Sequence, residues 1–197
     1  GIELPGEAGG LLKELSAWNP LSLASISFGQ EIGVTPLQMT NAISAIANGG
    51  TLMVPRITRA ILKDGQIEKR FEPKAVRRVI SIQSSRQVID ILKHAVKDGT
   101  GKNAAVKGYE VAGKTGTAQK YDAKTGRYSK TAYVSSFIGF APADAAKVAI
   151  LVMIDNPKGV HYGGSVAAPV FSNIARETLR YLNVPSSDQR VYILGRA

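Results

Sequence analysis

Apolar residues recur at helical spacing in three stretches of the chain and run as alternating or unbroken blocks between them. The first helical stretch opens at Thr35, where a hydroxyl suited to the cap precedes Pro36 and Gln38 completes a capping box. Val34 and Met39 are spaced as a hydrophobic staple, Met39, Ala42, Ile43 and Ile46 form the expected buried stripe, and Gly49 ends the helix. Short extended pieces follow at Leu52-Met53-Val54 and Ala60-Ile61-Leu62, with Asp64-Gly65 turning the chain back into Gln66-Ile67-Glu68. Ser84 and Gln87 suggest a second capping box, with Val88, Ile91, Leu92 and Ala95 on one face and Gly99 beyond the end. Gly99-Thr100-Gly101 reads as a flexible connection.

Three strands in meander order are expected next, at about 109–119, 133–140 and 147–155. The middle one alternates Val134, Ser136, Ile138 and Phe140 against Tyr133, Ser135, Phe137 and Gly139. The third is apolar on both faces, which predicts an interior position with layers above and below. A last helix over 167–183 carries Phe171, Ile174, Ala175, Thr178, Leu179 and Leu182 at helical spacing and should pack across the sheet. At the other end, Leu11, Leu12, Leu15 and Trp18 are expected to anchor an irregular first segment. The tail after Pro185 is expected to be loosely attached, with Val191 to Leu194 available for a short strand.

The densest chemistry lies at Gly113-Lys114-Thr115-Gly116-Thr117-Ala118, which puts an ammonium, two hydroxyls and an approachable backbone on one extended segment. Alternate side chains of a strand share a face, so Thr115 and Thr117 stand side by side, as a carboxylate site requires. Gly116 between them lets a peptide lie against the strand and pair with it by strand addition.

Residues 108–115 also match the phosphate-loop pattern G-x-x-x-x-G-K-[ST]. That loop needs a buried strand before it and a helix after it, and neither pattern is present, so a nucleotide is not expected. A second Lys-Thr-Gly at Lys124-Thr125-Gly126 sits among polar residues and reads as an exposed hairpin turn. The tripeptide alone is therefore weak, and an ordinary edge strand explains it equally well.

The surrounding phrases are more specific. Gly108 to Gln119, Ser27-Phe28-Gly29-Gln30, Val34-Thr35-Pro36-Leu37-Gln38-Met39, Ile46-Ala47-Asn48-Gly49-Gly50, Gly139-Phe140-Ala141-Pro142 and Tyr162-Gly163-Gly164 through Ala168-Pro169-Val170-Phe171 are all present. Together they make the chain resemble the C-terminal part of the transpeptidase domain of class B penicillin-binding proteins, most like the division and sporulation types.

The resemblance implies an α+β, β-lactamase/transpeptidase-like fold, here partial: a three-stranded antiparallel sheet with helices packed on its faces. Residues 1–185 would form that part of the domain and 186–197 a C-terminal tail. It implies catalytic roles for Lys114, as a positive charge and proton shuttle, and for Thr117, whose backbone N–H would be one oxyanion donor. Thr115, Gly116, Thr117, Tyr162 and Gly163 would bind substrate, Tyr162 and Gly163 from a loop near the mouth of the site. The implied chemistry is serine acyl transfer on peptidoglycan stem peptides, with β-lactams as inhibitors, without metal or cofactor. A D-Ala-D-Ala carboxypeptidase or β-lactamase fragment, or a non-catalytic peptidoglycan- or partner-binding module, is the alternative.

Such enzymes also carry S-x-x-K and S-x-N motifs. Neither occurs in this sequence. The nucleophile and its base are thus expected upstream, making the upstream half of the domain an implied partner, with divisome membrane proteins as further candidates. The implied location is the extracytoplasmic face of a bacterial membrane.

Composition bears on the alternatives. With 197 residues and 44% apolar content the chain can bury a single-domain core. Its longest apolar run, residues 148–154, is too short to cross a bilayer. There is no Cys, and the two His, His94 and His161, lack spaced partners, so no metal site is expected. The net charge of +10 raises the question of nucleic acid. Few aromatics interleave with the basic residues and no recognition motif occurs, so a solvated basic surface is the expectation.

Overall fold

The computed structural model describes residues 2, 5–122 and 124–187. In chain order its elements are β1 (Leu11–Leu12), α1 (Ser22–Ser27), β2 (Ile32–Gly33), α2 (Pro36–Ala47), β3 (Thr51–Met53), β4 (Ala60–Lys63), β5 (Gln66–Arg70) and β6 (Ala75–Arg78). Then come α3 (Ile82–Lys97), β7 (Ala112–Asp122), β8 (Arg127–Ala141), β9 (Val148–Asp155), α4 (Gly163–Val166) and α5 (Ala168–Tyr181). Among the described residues the architecture is α+β, with three two-stranded antiparallel sheets and one three-stranded antiparallel sheet in the order β7-β8-β9.

Local chemistry sets α2 as expected: Thr35 Oγ1 accepts from Gln38 N, and Gln38 Oε1 accepts from Thr35 N. The stripe is narrower than the spacing suggested, because Ile43 and Ala45 are buried while Met39 and Ala42 are exposed. The cap of α3 is Ser81, not Ser84; Ser84 instead donates its backbone N–H to the Ser81 hydroxyl. Two serines three apart offer two registers of one pattern, and the earlier one gains a further helical turn beginning at Ile82. Ile91 is exposed and Ser85 is buried, its hydroxyl donating to Ile46 O at 2.6 Å and so tying α3 to α2. Ile174 and Leu182 likewise face outward, while Phe171, Ala175 and Leu179 carry the packing of α5.

Asp64 and Gly65 both take positive φ, 50° and 78°, and close the β4–β5 hairpin with the turn that two such residues favour. β3 finds its partner in β6, across the intervening hairpin. Leu11, Leu12 and Leu15 do not anchor the first segment: all three are exposed, and that segment is held instead by the β1–β2 pair and the Trp18 Nε1 bond to Lys13 O.

The main sheet divides the core in two. Opposed residues of an antiparallel pair share a face, so Phe137 lies with Thr115 and Val152, and Phe140 with Ala112 and Ala149. The first face packs on α5 around Phe137, Phe171, Ala175 and Leu179. The second packs on α2 and α3 around Ile43, Leu92 and Phe140. β9 is not interior in the sheet; β8 is the central strand and β9 lies at an edge, with α2 on one face and α5 on the other. Coverage of both faces is enough to demand an apolar strand, so the pattern is silent about its in-plane neighbours.

β7 begins at Ala112 rather than near Tyr109, because Gly108 at φ 81° makes a tight turn in which Tyr109 N donates to Val106 O. Residues near the end of the described chain brace this turn: the Tyr109 hydroxyl donates to Val184 O, and Ser187 N and Oγ both donate to Gly108 O. Residues 188–197, including the expected strand at Val191 to Leu194, lie outside the described residues.

At the far end of the hairpin, Lys124-Thr125-Gly126 forms the expected turn. Bonds from Lys124 N and the Thr125 hydroxyl hold the Asp122 carboxyl below its ordinary 3.8. A depressed carboxyl stabilises the fold fully above its unfolded value and loses that contribution as pH falls through the folded one. Acidification below about pH 4 is expected to release the turn, read as loss of hydrogen-exchange protection at the Lys124 amide. Asp122→Asn should remove the pH dependence, and a turn indifferent to acid would contradict the assignment.

Candidate functional site

Four segments bring the candidate residues together. β7 supplies Lys114, Thr115, Gly116 and Thr117, and the start of α4 supplies Tyr162 at its cap and Gly163 and Gly164 in its first turn. The turn after α3 supplies Thr100, and the short helical turn at residues 102–104 supplies Asn103. Thr100, Asn103, Thr115, Thr117, Tyr162 and Gly163 line a cleft of about 310 Å3.

Which way the backbone faces is set by the packing of Gly163. A Cβ there would come closer than 3.0 Å to both Gly116 O and Ser136 O, so these two carbonyls lie together between β7 and β8. In an antiparallel strand the N–H and C=O of one residue face the same way and those of its neighbours face the other. Gly116 facing β8 turns the N–H and C=O of Thr115 and Thr117 toward the outer edge of β7, where no strand pairs among the described residues. Thr115 O is accordingly free to accept from Lys114 Nζ at 3.2 Å.

The side chains follow the same alternation. Thr115 and Thr117 stand opposite Phe137 and Ser135 on the α5 face, and Lys114 starts on the other face. Its ammonium nevertheless wraps around the open edge to within 3.3 Å of Thr115 Oγ1, which places the charge beside the hydroxyls. Gly163 N donates to Thr117 Oγ1 at 3.1 Å. That bond occupies an acceptor site of the hydroxyl and leaves its proton for the cleft.

The loop bearing Tyr162 is fixed from below. Ser135, fully buried, donates its hydroxyl to His161 O, and the His161 ring stacks on Tyr133 with centroids 4.0 Å apart. Tyr162 stays exposed next to that stack, its centroid 4.7 Å from that of His161. Gly164 packs so closely on Thr100 O that a Cβ would fall inside 3.0 Å, and Asn103 Nδ2 donates to Gly164 O at 2.8 Å.

Sequence reasoning missed Thr100 and Asn103. The connection read as flexible is pinned, since Gly99 N donates to His94 O, Gly101 N donates to Ala95 O, and the Thr100 hydroxyl lies 2.8 Å from that of Thr115. A hydroxyl between two glycines, one helix ahead of the motif strand, was the available signal.

Elsewhere, a larger cleft of about 730 Å3 includes Asp90, Lys93, His94, Lys97 and Lys102 and none of the motif residues. Lys93 there is committed to structure. It bonds Glu110 at 2.7 Å and Asp144 at 3.3 Å, and the Glu110 bond, opposed by burial and aided by Asp144, raises its pKa above the ordinary 10.5. Lys93 thereby holds α3 to the entry of β7. Among the described residues no cluster of His, Asp and Glu is arranged to hold a metal, and no helix is long and apolar enough to cross a membrane.

Comparison with known proteins shows the family and the fold. The family model described as the penicillin binding protein transpeptidase domain matches residues 1–176. Stage V sporulation protein D of Bacillus subtilis is 45% identical over 187 residues, covering 93% of this chain but 29% of that protein. A Neisseria gonorrhoeae protein named "Probable peptidoglycan D,D-transpeptidase PenA" is 34% identical over 186 residues, covering 91% of this chain and 29% of that protein.

Among solved structures, penicillin binding protein 3 of Mycobacterium tuberculosis complexed with ampicillin superposes with TM-score 0.86 at 38% identity, covering 95% of this chain and 43% of that one. The apo transpeptidase domain of Burkholderia pseudomallei penicillin-binding protein 3 gives 0.81 at 38% identity, covering 94% and 54%. The chain thus spans less than a third of the curated relatives just named and about half of that solved domain. By sequence and by fold, this chain belongs to the transpeptidase domain family of class B penicillin-binding proteins, of which it represents a part.

Proposed function

We propose that this chain is the substrate-edge portion of a serine-type peptidoglycan D,D-transpeptidase, working with a nucleophile supplied by a segment N-terminal to it. The observation that carries the reading is the edge of β7. There two hydroxyls line one cleft, an ammonium lies 3.3 Å from one of them, an amide faces outward, and the outer edge of β7 is unpaired among the described residues.

In this reading a stem peptide, or a β-lactam in its place, lies along β7 and pairs with its free N–H and C=O groups. Thr115 and Thr117 donate to its carboxylate, and the positive charge of Lys114 draws that carboxylate in. The Thr117 N–H supports the oxyanion formed when the serine attacks the penultimate D-Ala carbonyl. A preorganised donor of this kind contributes about 3–4 kcal/mol to the transition state. The acyl-enzyme forms as D-Ala leaves, and an amine from a neighbouring stem peptide then takes the acyl group. Tyr162 lies exposed at the mouth, where an apolar ring can cover the bound peptide.

The names of relatives support this reading, one being a named D,D-transpeptidase and another a penicillin binding protein solved with ampicillin. The parent protein would act at the extracytoplasmic face of a bacterial membrane.

A fluorescent penicillin provides the test. This chain alone is expected to take no covalent label, since S-x-x-K and S-x-N are missing from its sequence. The full-length protein is expected to be labelled on a serine outside it. Stable labelling of the isolated chain would overturn the division of labour, and an unlabelled full-length protein would overturn the function.

A further inference from the structure

We propose that Thr100 is a positioning residue that makes Thr115 a dedicated proton donor to the substrate carboxylate, a proposal that rests on the penicillin-binding reading above. The hydroxyls of Thr100 and Thr115 lie 2.8 Å apart, and Lys114 Nζ lies 3.3 Å from Thr115 Oγ1. An ammonium only donates, whereas a hydroxyl carries one proton and accepts twice.

Lys114 therefore occupies one acceptor site of Thr115. When Thr100 donates, it occupies the second. Both lone pairs of Thr115 are then taken and its only remaining capacity is its own proton, directed at the cleft. An anion arriving there favours this arrangement over the reverse one, in which Thr115 spends its proton on Thr100. The result is a hydroxyl that recognises a carboxylate and gives nothing to a neutral donor.

Thr100 is built into place for this. Backbone bonds from Gly99 and Gly101 to the last turn of α3 fix it on both sides. Its own carbonyl closes against Gly164, where a Cβ would not fit, and Asn103 holds Gly164 O from the same turn. The end of α3, the motif strand and the Tyr162-Gly163-Gly164 loop thus meet at one threonine that touches no reacting atom.

The full-length protein is the material for the test, with a fluorescent penicillin carrying a free carboxylate and the methyl ester of the same compound. The concentration dependence of labelling separates half-saturation from the limiting acylation rate. Thr100→Val is expected to raise the half-saturating concentration of the acid about tenfold. The limiting rate should stay near wild type, the ester, whose carbonyl accepts more weakly than a carboxylate, should lose less than the acid, and Thr100→Ser should restore acid binding.

Acid binding unchanged in Thr100→Val overturns the proposal. So does an equal loss for acid and ester, or a failure of Ser to rescue, since either marks a packing role. If wild type itself takes no label, the penicillin-site reading fails and this proposal falls with it; normal wild-type labelling with an indifferent valine variant removes this proposal alone.

Discussion

Replacing Gly163 by alanine is expected to cut the acylation rate of the full-length protein by on the order of a hundredfold, the usual result of moving a binding group by about 1 Å. The position has no room: a Cβ would press on Gly116 O and Ser136 O, and both carbonyls belong to the β7–β8 ladder. Backbone of a paired sheet does not yield as a side-chain tip would, so the α4 segment must lift. Lifting breaks the bond from Gly163 N to Thr117 Oγ1 and swings Tyr162 away from the cleft. Gly9→Ala makes the control, since that glycine has open space around it and no positive φ, and it should label as wild type. Normal acylation by Gly163→Ala would mean that the loop plays no part in holding the site.

What the sequence displayed and what it concealed differ in the distance between interacting partners. The cap at Thr35 and Gln38 and the Asp64-Gly65 turn rest on residues a few positions apart, and each strand of the meander carries its own local pattern, so this chemistry is visible in one window of sequence. The pairing of Thr115 with Thr117 on one face was equally plain, because a strand's period is fixed. Helix faces were harder. Ile91 fits a buried stripe by spacing alone, yet packing turns Ser85 and Leu92 inward, toward Ile46 of α2 and the Phe140 cluster, and leaves Ile91 exposed.

Partners supplied from far along the chain left little trace. Gly163 finds its reason in Gly116 and Ser136, Thr100 finds its partner in Thr115, and β3 finds β6 beyond a hairpin. Exposure at Leu11, Leu12 and Leu15 belongs to the same class, because an apolar residue states a preference for cover without naming what provides it.

The same logic governs Phe137→Ala, expected to destabilise the fold by about 3–5 kcal/mol, the range for truncating a buried aromatic. Total stabilities of about 5–15 kcal/mol make that a large share. Phe137 is fully buried, stands opposite Thr115 and Val152, and meets Phe171 with ring centroids 4.7 Å apart. Three glycines frame its ring: a Cβ on Gly113 would fall 2.6 Å from Cζ, and Cβ atoms on Gly101 and Gly139 would fall 3.2 and 3.1 Å from the ring edge. Gly113, the first residue of the motif, is thus a packing partner of Phe137 rather than a contact for substrate. Removing the ring opens a cavity beneath Thr115, and the three glycines that frame it have no side chains with which to fill it. The unfolding midpoint should fall by roughly 10 °C, with labelling by penicillin weakened well below that midpoint as Thr115 loses its support. Phe137→Leu refills most of the volume and should recover more than half of the loss; a midpoint shift of only a degree or two for the alanine variant would place the weight of the core elsewhere.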